Sequence, residues 1–217
     1  MIPSAPGTSS ASGSAALNAG SFLLLHGWQN RRPPAHWQHW LAGELTVRGH
    51  AVAYPQFPDP DYPDLDAWLT ELRAQLTAQP GPRRTLLCHS LGCLLWLNAV
   101  ARSAVPLPVD RVLLVAPPSR EVTLSHAEIA AFATPESLTA EHVRAAARYT
   151  GLFGTDNDPY CPDGPTAAYG DPLAIPTTVL PGAEHLNVDS GYGPWPSLLD
   201  WCLSHDDNHP ITLRPAS

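Results

Sequence analysis

Residues 85–96 read TLLCHSLGCLLW, an apolar run, then His-Ser-Leu-Gly, then a second apolar run. A short continuous apolar run that stops at a turn is typical of a strand buried on both faces of a parallel sheet. The stretch 91–104, LGCLLWLNAVARSA, is apolar almost all round, which predicts a largely buried helix. Ser90 therefore lies between a strand and a helix. A serine in that place is either a helix N-cap or a nucleophile exposed on a tight turn.

The rest of the chain repeats this alternation of strands and helices. Apolar runs predict further strands at 21–25, 51–54, 111–116, 150–154 and 177–181. Helical periodicity predicts helices near 36–49, over 65–76 with Asp64 as its cap, and over 195–203. Between 117 and 148 the signals are weaker, and the stretches 126–133 and 140–149 are predicted to be helical. Strands that alternate with helices form a doubly wound, mainly parallel sheet covered on both faces. The predicted fold class is therefore α/β.

Length and composition favour a single domain. The chain has 217 residues, of which 44% are hydrophobic, enough for one sizeable core. We expect residues 1–19 to be a disordered tail, residues 20–205 to form the domain and residues 206–217 to be a C-terminal tail. The net charge is -8, the chain contains no lysine, and its arginines are scattered, so neither a nucleic-acid surface nor a polybasic membrane patch is predicted.

The sequence does not have the motifs of a secreted protein or of a membrane-spanning protein. Residues 1–19 lack the charged and apolar regions of a signal peptide, and no apolar run is long enough to cross a bilayer. The cysteines at 88, 93, 161 and 202 form no CxxC pair, so a reduced, cytoplasmic chain is the simple interpretation, although a disulfide stays open. We expect no metal and no organic cofactor.

Residues that follow the predicted strands are the candidates for chemistry, because ligands of such sheets collect beyond the carboxyl ends of the strands. Ser90 follows the third strand, and the backbone amide of Leu91 lies at a helix N-terminus, where it can face an oxyanion. The flanking residues are Cys88, where the GxSxG elbow pattern has glycine, and Gly92, which matches the pattern. This context favours a nucleophile over an N-cap.

A nucleophilic serine needs an imidazole to take its proton and a carboxylate to orient that imidazole. His185 is the candidate base, because it follows the predicted last strand in the loop LPGAEHLN. For the acid, GTDNDPYCPDG offers three aspartates: Asp158, before a proline, is the first choice, Asp156 is the second, and Asp163 is also present. Ordinary turn aspartates are the alternative.

Three further residues are expected to line a substrate pocket. His26 stands at the end of the first strand, and His89 is adjacent to the serine. Trp195 occupies a loop near the candidate elements, as does Trp28, whereas the other tryptophans lie on apolar helical faces. Apolar walls with few polar groups are usual for small-ligand sites.

Seven stretches, taken together, resemble the small serine hydrolases of the retinoblastoma-binding protein 9 and YdeN type, within the α/β-hydrolase superfamily. They span most of the chain from 22 to 201. In order they are HGW (26–28), HWQ (36–38), HSLGC (89–93), VAPP (115–118), NDPYC (157–161), HLN (185–187) and SGYGPWP (190–196). The sequence departs from the pattern at Cys88 and at Glu184, where such proteins typically have glycine.

The resemblance implies an α/β-hydrolase fold with nucleophile Ser90, acid Asp158 and base His185. It also implies a second oxyanion amide at Trp28 or its neighbour. With only 119–148 available as a lid, we expect an open site that cleaves small carboxylic esters or amides through an acyl-enzyme. The alternative is a non-catalytic binding module on the same fold, since fold alone does not fix function. A protein partner is left open.

Overall fold

The computed structural model describes residues 20–106, 108–204 and 206–214. In this part of the chain six strands form one parallel sheet in the order β2-β1-β3-β4-β5-β6. The strands are β1 (Ser21–Leu25), β2 (Ala51–Ala53), β3 (Arg84–His89), β4 (Val109–Val115), β5 (Ala147–Thr155) and β6 (Thr177–Leu180). The α/β class predicted from the sequence is confirmed.

Helices connect these strands and cover both faces of the sheet. They are α1 (Trp37–Val47), α2 (Leu65–Ala78), α3 (Leu91–Ala101), α4 (Arg120–Ser125), α5 (Ala140–Ala146), α6 (Asp171–Leu173) and α7 (Pro196–Leu203). A 3-10 turn at Ala130–Phe132 follows α4, and a π turn at Thr166–Gly170 leads into α6. As predicted, Asp64 caps α2, its side chain accepting from the backbone N–H of Ala67 at 2.8 Å.

Alternate residues of the strands pack into two separate hydrophobic cores, one on each face of the sheet. Leu23 and Leu25 face the core that α2, α3 and α5 close, while Phe22 and Leu24 face the core that α1 and α7 close. Large aromatic side chains on the covering helices are buried in these cores. They are Trp37, Trp68, Trp96 and Trp201. Because each strand side chain points to the face opposite its neighbour, a continuously apolar strand buries all its residues.

The prediction was wrong between residues 117 and 149. The helix expected over 140–149 ends at Ala146, because 147–149 pair with β4, Ala147 opposite Val109 and Tyr149 opposite Arg111. Pairing in the sheet overrides the helical propensity of this stretch. The helix expected over 126–133 is reduced to the 3-10 turn, and α4, capped by Ser119, was not predicted.

The C-terminal residues 206–214 pack against the domain. Ile211 is buried, and Asp207 forms ion pairs with Arg111 at 3.1 Å and with Arg148 at 2.7 Å. Arg111 also lies over the ring of Trp201. The domain therefore extends past residue 205, where we expected a tail to begin. The expected tail at 1–19 lies outside the described residues.

Candidate active site

Ser90 stands on a strained turn between β3 and α3. Its φ of 52° and ψ of -122° lie where side chains are disfavoured, and its own side chain makes no N-cap hydrogen bond to α3. Such a conformation costs on the order of 1–3 kcal/mol and persists only where the surroundings hold it. Here the N–H of Ser90 donates to the carbonyl of Val115 at 2.9 Å. The geometry is that of a nucleophile elbow and not of an ordinary cap.

The elbow needs a small residue two positions after the serine, where this chain has Gly92. A Cβ added at Gly92 would lie 2.5 Å from the carbonyl oxygen of Leu25, so the start of α3 packs directly on the end of β1. The turn also forms with Cys88 where the pattern has glycine. Cys88 is fully buried, and burial raises the pKa of its thiol well above the ordinary value, so it is an inert packing residue.

The structure brings Ser90, His185 and Asp158 into one hydrogen-bonded chain. His185 Nε2 lies 2.9 Å from Ser90 Oγ, and His185 Nδ1 lies 2.8 Å from Asp158 Oδ2 and 3.0 Å from Oδ1. Both Asp158 and His185 are buried. Since the carboxylate accepts from Nδ1, the neutral imidazole presents Nε2 as an acceptor for the serine proton.

Asp158 is further fixed by its own loop. Its Oδ1 accepts from the backbone N–H of Tyr160 at 2.8 Å, and the ring of Tyr160 packs 4.5 Å from that of His185. Asp156, the second candidate acid, instead accepts from the backbone N–H of Gly182 at 2.7 Å. The choice between the two aspartates thus follows from which one reaches the imidazole.

Two backbone amides beside the serine are available to a ligand. Within the described part of the chain, no group accepts from the N–H of Trp28 or of Leu91. Gly27, which precedes Trp28, packs so closely on Ser90 that an added Cβ would lie 2.9 Å from the serine Cβ. Both amides therefore belong to segments in contact with Ser90, where donors for an oxyanion are needed.

A cavity of about 410 Å³ opens over Ser90. Its lining includes the predicted residues Trp28 and His89, and also residues that the sequence analysis did not assign to the site: His36, Tyr160, Val122, Ile129, Asn187 and Asp189. His36 is the N-cap of α1, and burial lowers its pKa to about 4. Its place at the start of a predicted helix was the signal available in the sequence.

Two of the residues predicted to line the pocket, Trp195 and His26, do not line the cavity. Trp195 is fully buried in the core with α7, and its Nε1–H donates to the carbonyl of Thr212 at 2.7 Å, so the indole points away from the cavity. His26 is also fully buried, with Nδ1 bonded to the carbonyl of Gly27 at 2.8 Å and Nε2 accepting from the N–H of Phe57 at 2.9 Å. Its ring holds two loops together and has no nitrogen left for a substrate.

Neither a metal-ligand cluster nor a membrane-spanning helix occurs in the described ranges. Among them, no group of three or more His, Cys, Asp or Glu side chains is arranged to hold a metal ion. Nor does any helix in these ranges have the length and apolar character needed to cross a bilayer.

The family-model match and the fold together define a serine hydrolase with an α/β-hydrolase fold. The chain belongs to the serine hydrolase family, whose model matches residues 22–202. No curated protein matches the sequence significantly.

Solved structures of YdeN-like hydrolases are similar to this chain. The YdeN gene product of Bacillus subtilis is 19% identical, with a TM-score of 0.71 over 85% of this chain and 97% of that one. A YdeN-like hydrolase of Pectobacterium atrosepticum is 20% identical, with a TM-score of 0.66 over 88% and 91%. A serine hydrolase involved in carbazole degradation is 15% identical, with a TM-score of 0.56 over 85% and 91%. At these identities the likeness shows the fold.

Proposed function

We propose that this serine hydrolase cleaves small carboxylic esters or amides by acyl transfer on a Ser90-His185-Asp158 triad. The single observation that carries the proposal is the continuous hydrogen-bonded chain from the Ser90 hydroxyl through His185 to Asp158. A serine hydroxyl is a weak nucleophile, and an oriented imidazole is the group that activates it. We further propose that the chain shares this chemistry with retinoblastoma-binding protein 9, which its motifs resemble.

The reaction follows from the positions of these atoms. Ser90 Oγ attacks the carbonyl carbon of the substrate while its proton passes to His185 Nε2, and Asp158 stabilises the resulting imidazolium. The backbone amides of Trp28 and Leu91 hold the oxyanion. The imidazolium then gives its proton to the leaving oxygen or nitrogen as the bond from that atom to the carbonyl carbon breaks, so the alcohol or amine departs and the acyl-enzyme is left. Water, deprotonated by His185, attacks the acyl-enzyme and regenerates Ser90 with release of the acid.

The size and lining of the cavity support small substrates. A volume of about 410 Å³ lies toward the lower end of the range usual for small-molecule pockets. The segment containing Val122 and Ile129 contributes apolar side chains, whereas the segments around Asn30 and Asn187 contribute polar ones. We propose that one substituent of the ester is a short apolar group and that the other is polar.

Hydrolysis of p-nitrophenyl esters with acetyl, butyryl, octanoyl and lauroyl groups tests this function. We expect the highest kcat/KM for the short acyl groups and a fall of about a thousandfold or more in kcat for Ser90→Ala, because the nucleophile is lost. Ser103, which is exposed after α3 and lies outside the lining of the cavity, offers the control Ser103→Ala, which is expected to keep the wild-type activity. Activity confined to lauroyl esters, or activity unchanged in Ser90→Ala, would contradict the proposal.

A further inference from the structure

The loop that carries the base, residues 182–186, has a disfavoured backbone conformation. We call it the base loop. Gly182, Glu184 and Leu186 all have positive φ, of 65°, 50° and 52°. His185 thus lies between two non-glycine residues in the left-handed region, and such a conformation persists only where surrounding groups determine it. The groups that do so also determine where the imidazole stands.

Side chains from three other elements bond the carbonyl groups of this loop. Three consecutive carbonyl oxygens, those of Glu184, His185 and Leu186, each accept from a buried side chain. The donors are, in that order, Thr155 Oγ1 at 2.6 Å, His89 Nε2 at 3.1 Å and Trp37 Nε1 at 3.0 Å. These donors come from the end of β5, from the residue before the nucleophile and from the first turn of α1.

Two amides of the base loop are held in the same way. Asp156 Oδ1 accepts from the N–H of Gly182 at 2.7 Å, and Asn157 Oδ1 accepts from the N–H of Glu184 at 2.8 Å. With Thr155, these are three successive residues at the carboxyl end of β5. The next residue is Asp158, which bonds His185 itself. One short segment therefore fixes both the imidazole and the backbone that bears it.

We propose that these side chains form a clamp that holds the base loop in its strained conformation, with Thr155 as a positioning residue for His185. This inference rests on the proposed function, because it assigns a role in placing the catalytic base. Thr155 is 1% exposed, lies outside the lining of the cavity and reaches His185 only through the adjacent peptide group. A small displacement of the imidazole lowers the rate of proton transfer without changing substrate binding.

The substitution Thr155→Val tests the clamp, because it keeps the shape of the side chain and removes the hydroxyl. We expect kcat for a short-chain ester to fall about three- to tenfold, the worth of one hydrogen bond, with KM unchanged. Amide hydrogen exchange in residues 182–187 is expected to quicken about three- to tenfold for the same reason. Thr155→Ser, which restores the donor, is expected to recover most of the activity and the protection.

The matched control lies in the same strand. Thr150 is also buried, and its hydroxyl has no hydrogen-bond partner within the described ranges. Thr150→Val therefore removes a β5 hydroxyl without removing a hydrogen bond. We expect kcat and the amide hydrogen exchange of the base loop to match the wild type. Asn157→Ala is the second variant should Thr155→Val fail to fold, since Asn157 is exposed and its loss frees only the N–H of Glu184.

The outcomes separate the clamp from the proposed function. Unchanged exchange of residues 182–187 in Thr155→Val would overturn the clamp. Faster exchange with unchanged kcat would overturn the positioning role. If the wild type shows no hydrolysis that depends on Ser90, the proposed function fails, and the exchange measurements still decide whether the base loop is held by these side chains.

Discussion

At the scale of residues, three buried histidines lie near the proposed triad without belonging to it. Burial lowers the pKa of His26 and His36 to about 4, and it lowers the pKa of His89 well below its ordinary value. Each imidazole is therefore neutral in the folded protein at neutral pH. His26 joins two loops, His89 bonds the base loop, and His36 caps α1 beside the cavity.

These shifts make stability depend on pH. In the unfolded chain a histidine binds its proton near pH 6.5, whereas in the folded protein the proton binds only near 4, so the unfolded state carries more protons between those values. The stabilisation is fully present above pH 6.5 and is lost as the pH falls toward 4. Each such histidine contributes a slope of about 1.4 kcal/mol per pH unit in that interval.

Urea unfolding at pH 7 and pH 5 measures this effect. We expect the free energy of unfolding to be lower at pH 5 than at pH 7. His36→Asn keeps an N-cap acceptor but does not titrate, so it is expected to reduce this difference by the contribution of one histidine. His39→Asn, on the exposed face of α1, is the control for removing an imidazole from the same helix. A difference as large in His36→Asn as in the wild type would contradict the assignment.

The residues of the site were predictable from the sequence to different degrees. Ser90, His185 and Asp158 were predicted as candidates because each follows a predicted strand, a property visible in the chain, and the structure brings the three side chains together. Trp195 was assigned wrongly because proximity in sequence to a candidate element does not tell which way a side chain points. Thr155 gave no signal at all, since its importance depends on a carbonyl that lies 29 residues away in the chain.

At the scale of elements, the contact between α3 and β1 sets the position of Ser90, the proposed nucleophile. Gly92 lies where the first turn of α3 meets the carbonyl groups of Leu25 and His26, at 2.5 Å and 2.9 Å from an added Cβ. Because both neighbours are backbone atoms, they cannot move aside without shifting the strand. The close approach of helix and strand is what presents Ser90 to the cavity.

A matched pair of glycine substitutions tests this contact. Gly92→Ala is expected to lower stability by about 1–3 kcal/mol through overpacking, and to lower activity by displacing Ser90. Gly43→Ala, in the exposed middle of α1 with no atom within 4 Å of the added Cβ, is expected to raise stability by up to about 1 kcal/mol. Thermal unfolding of the two variants checks both signs. An unchanged Tm in Gly92→Ala would show that the elbow tolerates a side chain there.

Strands were easier to predict than the region between β4 and β5. The buried strands are continuous apolar runs, whose length and punctuation identify them. The stretch 140–149 has helical composition throughout, and only its pairing with β4 converts the last residues to strand. Such pairing depends on contacts between distant segments, so local sequence does not reveal it.

At the scale of the whole molecule, parallel order brings the candidate residues together. Ser90, Asp158 and His185 follow β3, β5 and β6, and β4 is the strand between β3 and β5. All strands run in one direction, so their carboxyl ends meet at one edge of the sheet, where ligands of such folds bind. This convergence explains how residues 95 positions apart form a hydrogen bond of 2.9 Å.

We propose that this arrangement makes Ser90 a nucleophile, and labelling with a fluorophosphonate probe followed by peptide mass spectrometry tests that role most directly. We predict one adduct, on the peptide that contains Ser90, with labelling abolished in Ser90→Ala and strongly slowed in His185→Ala, because the imidazole activates the hydroxyl. A wild-type protein that stays unlabelled, or an adduct on a different residue, would contradict the account.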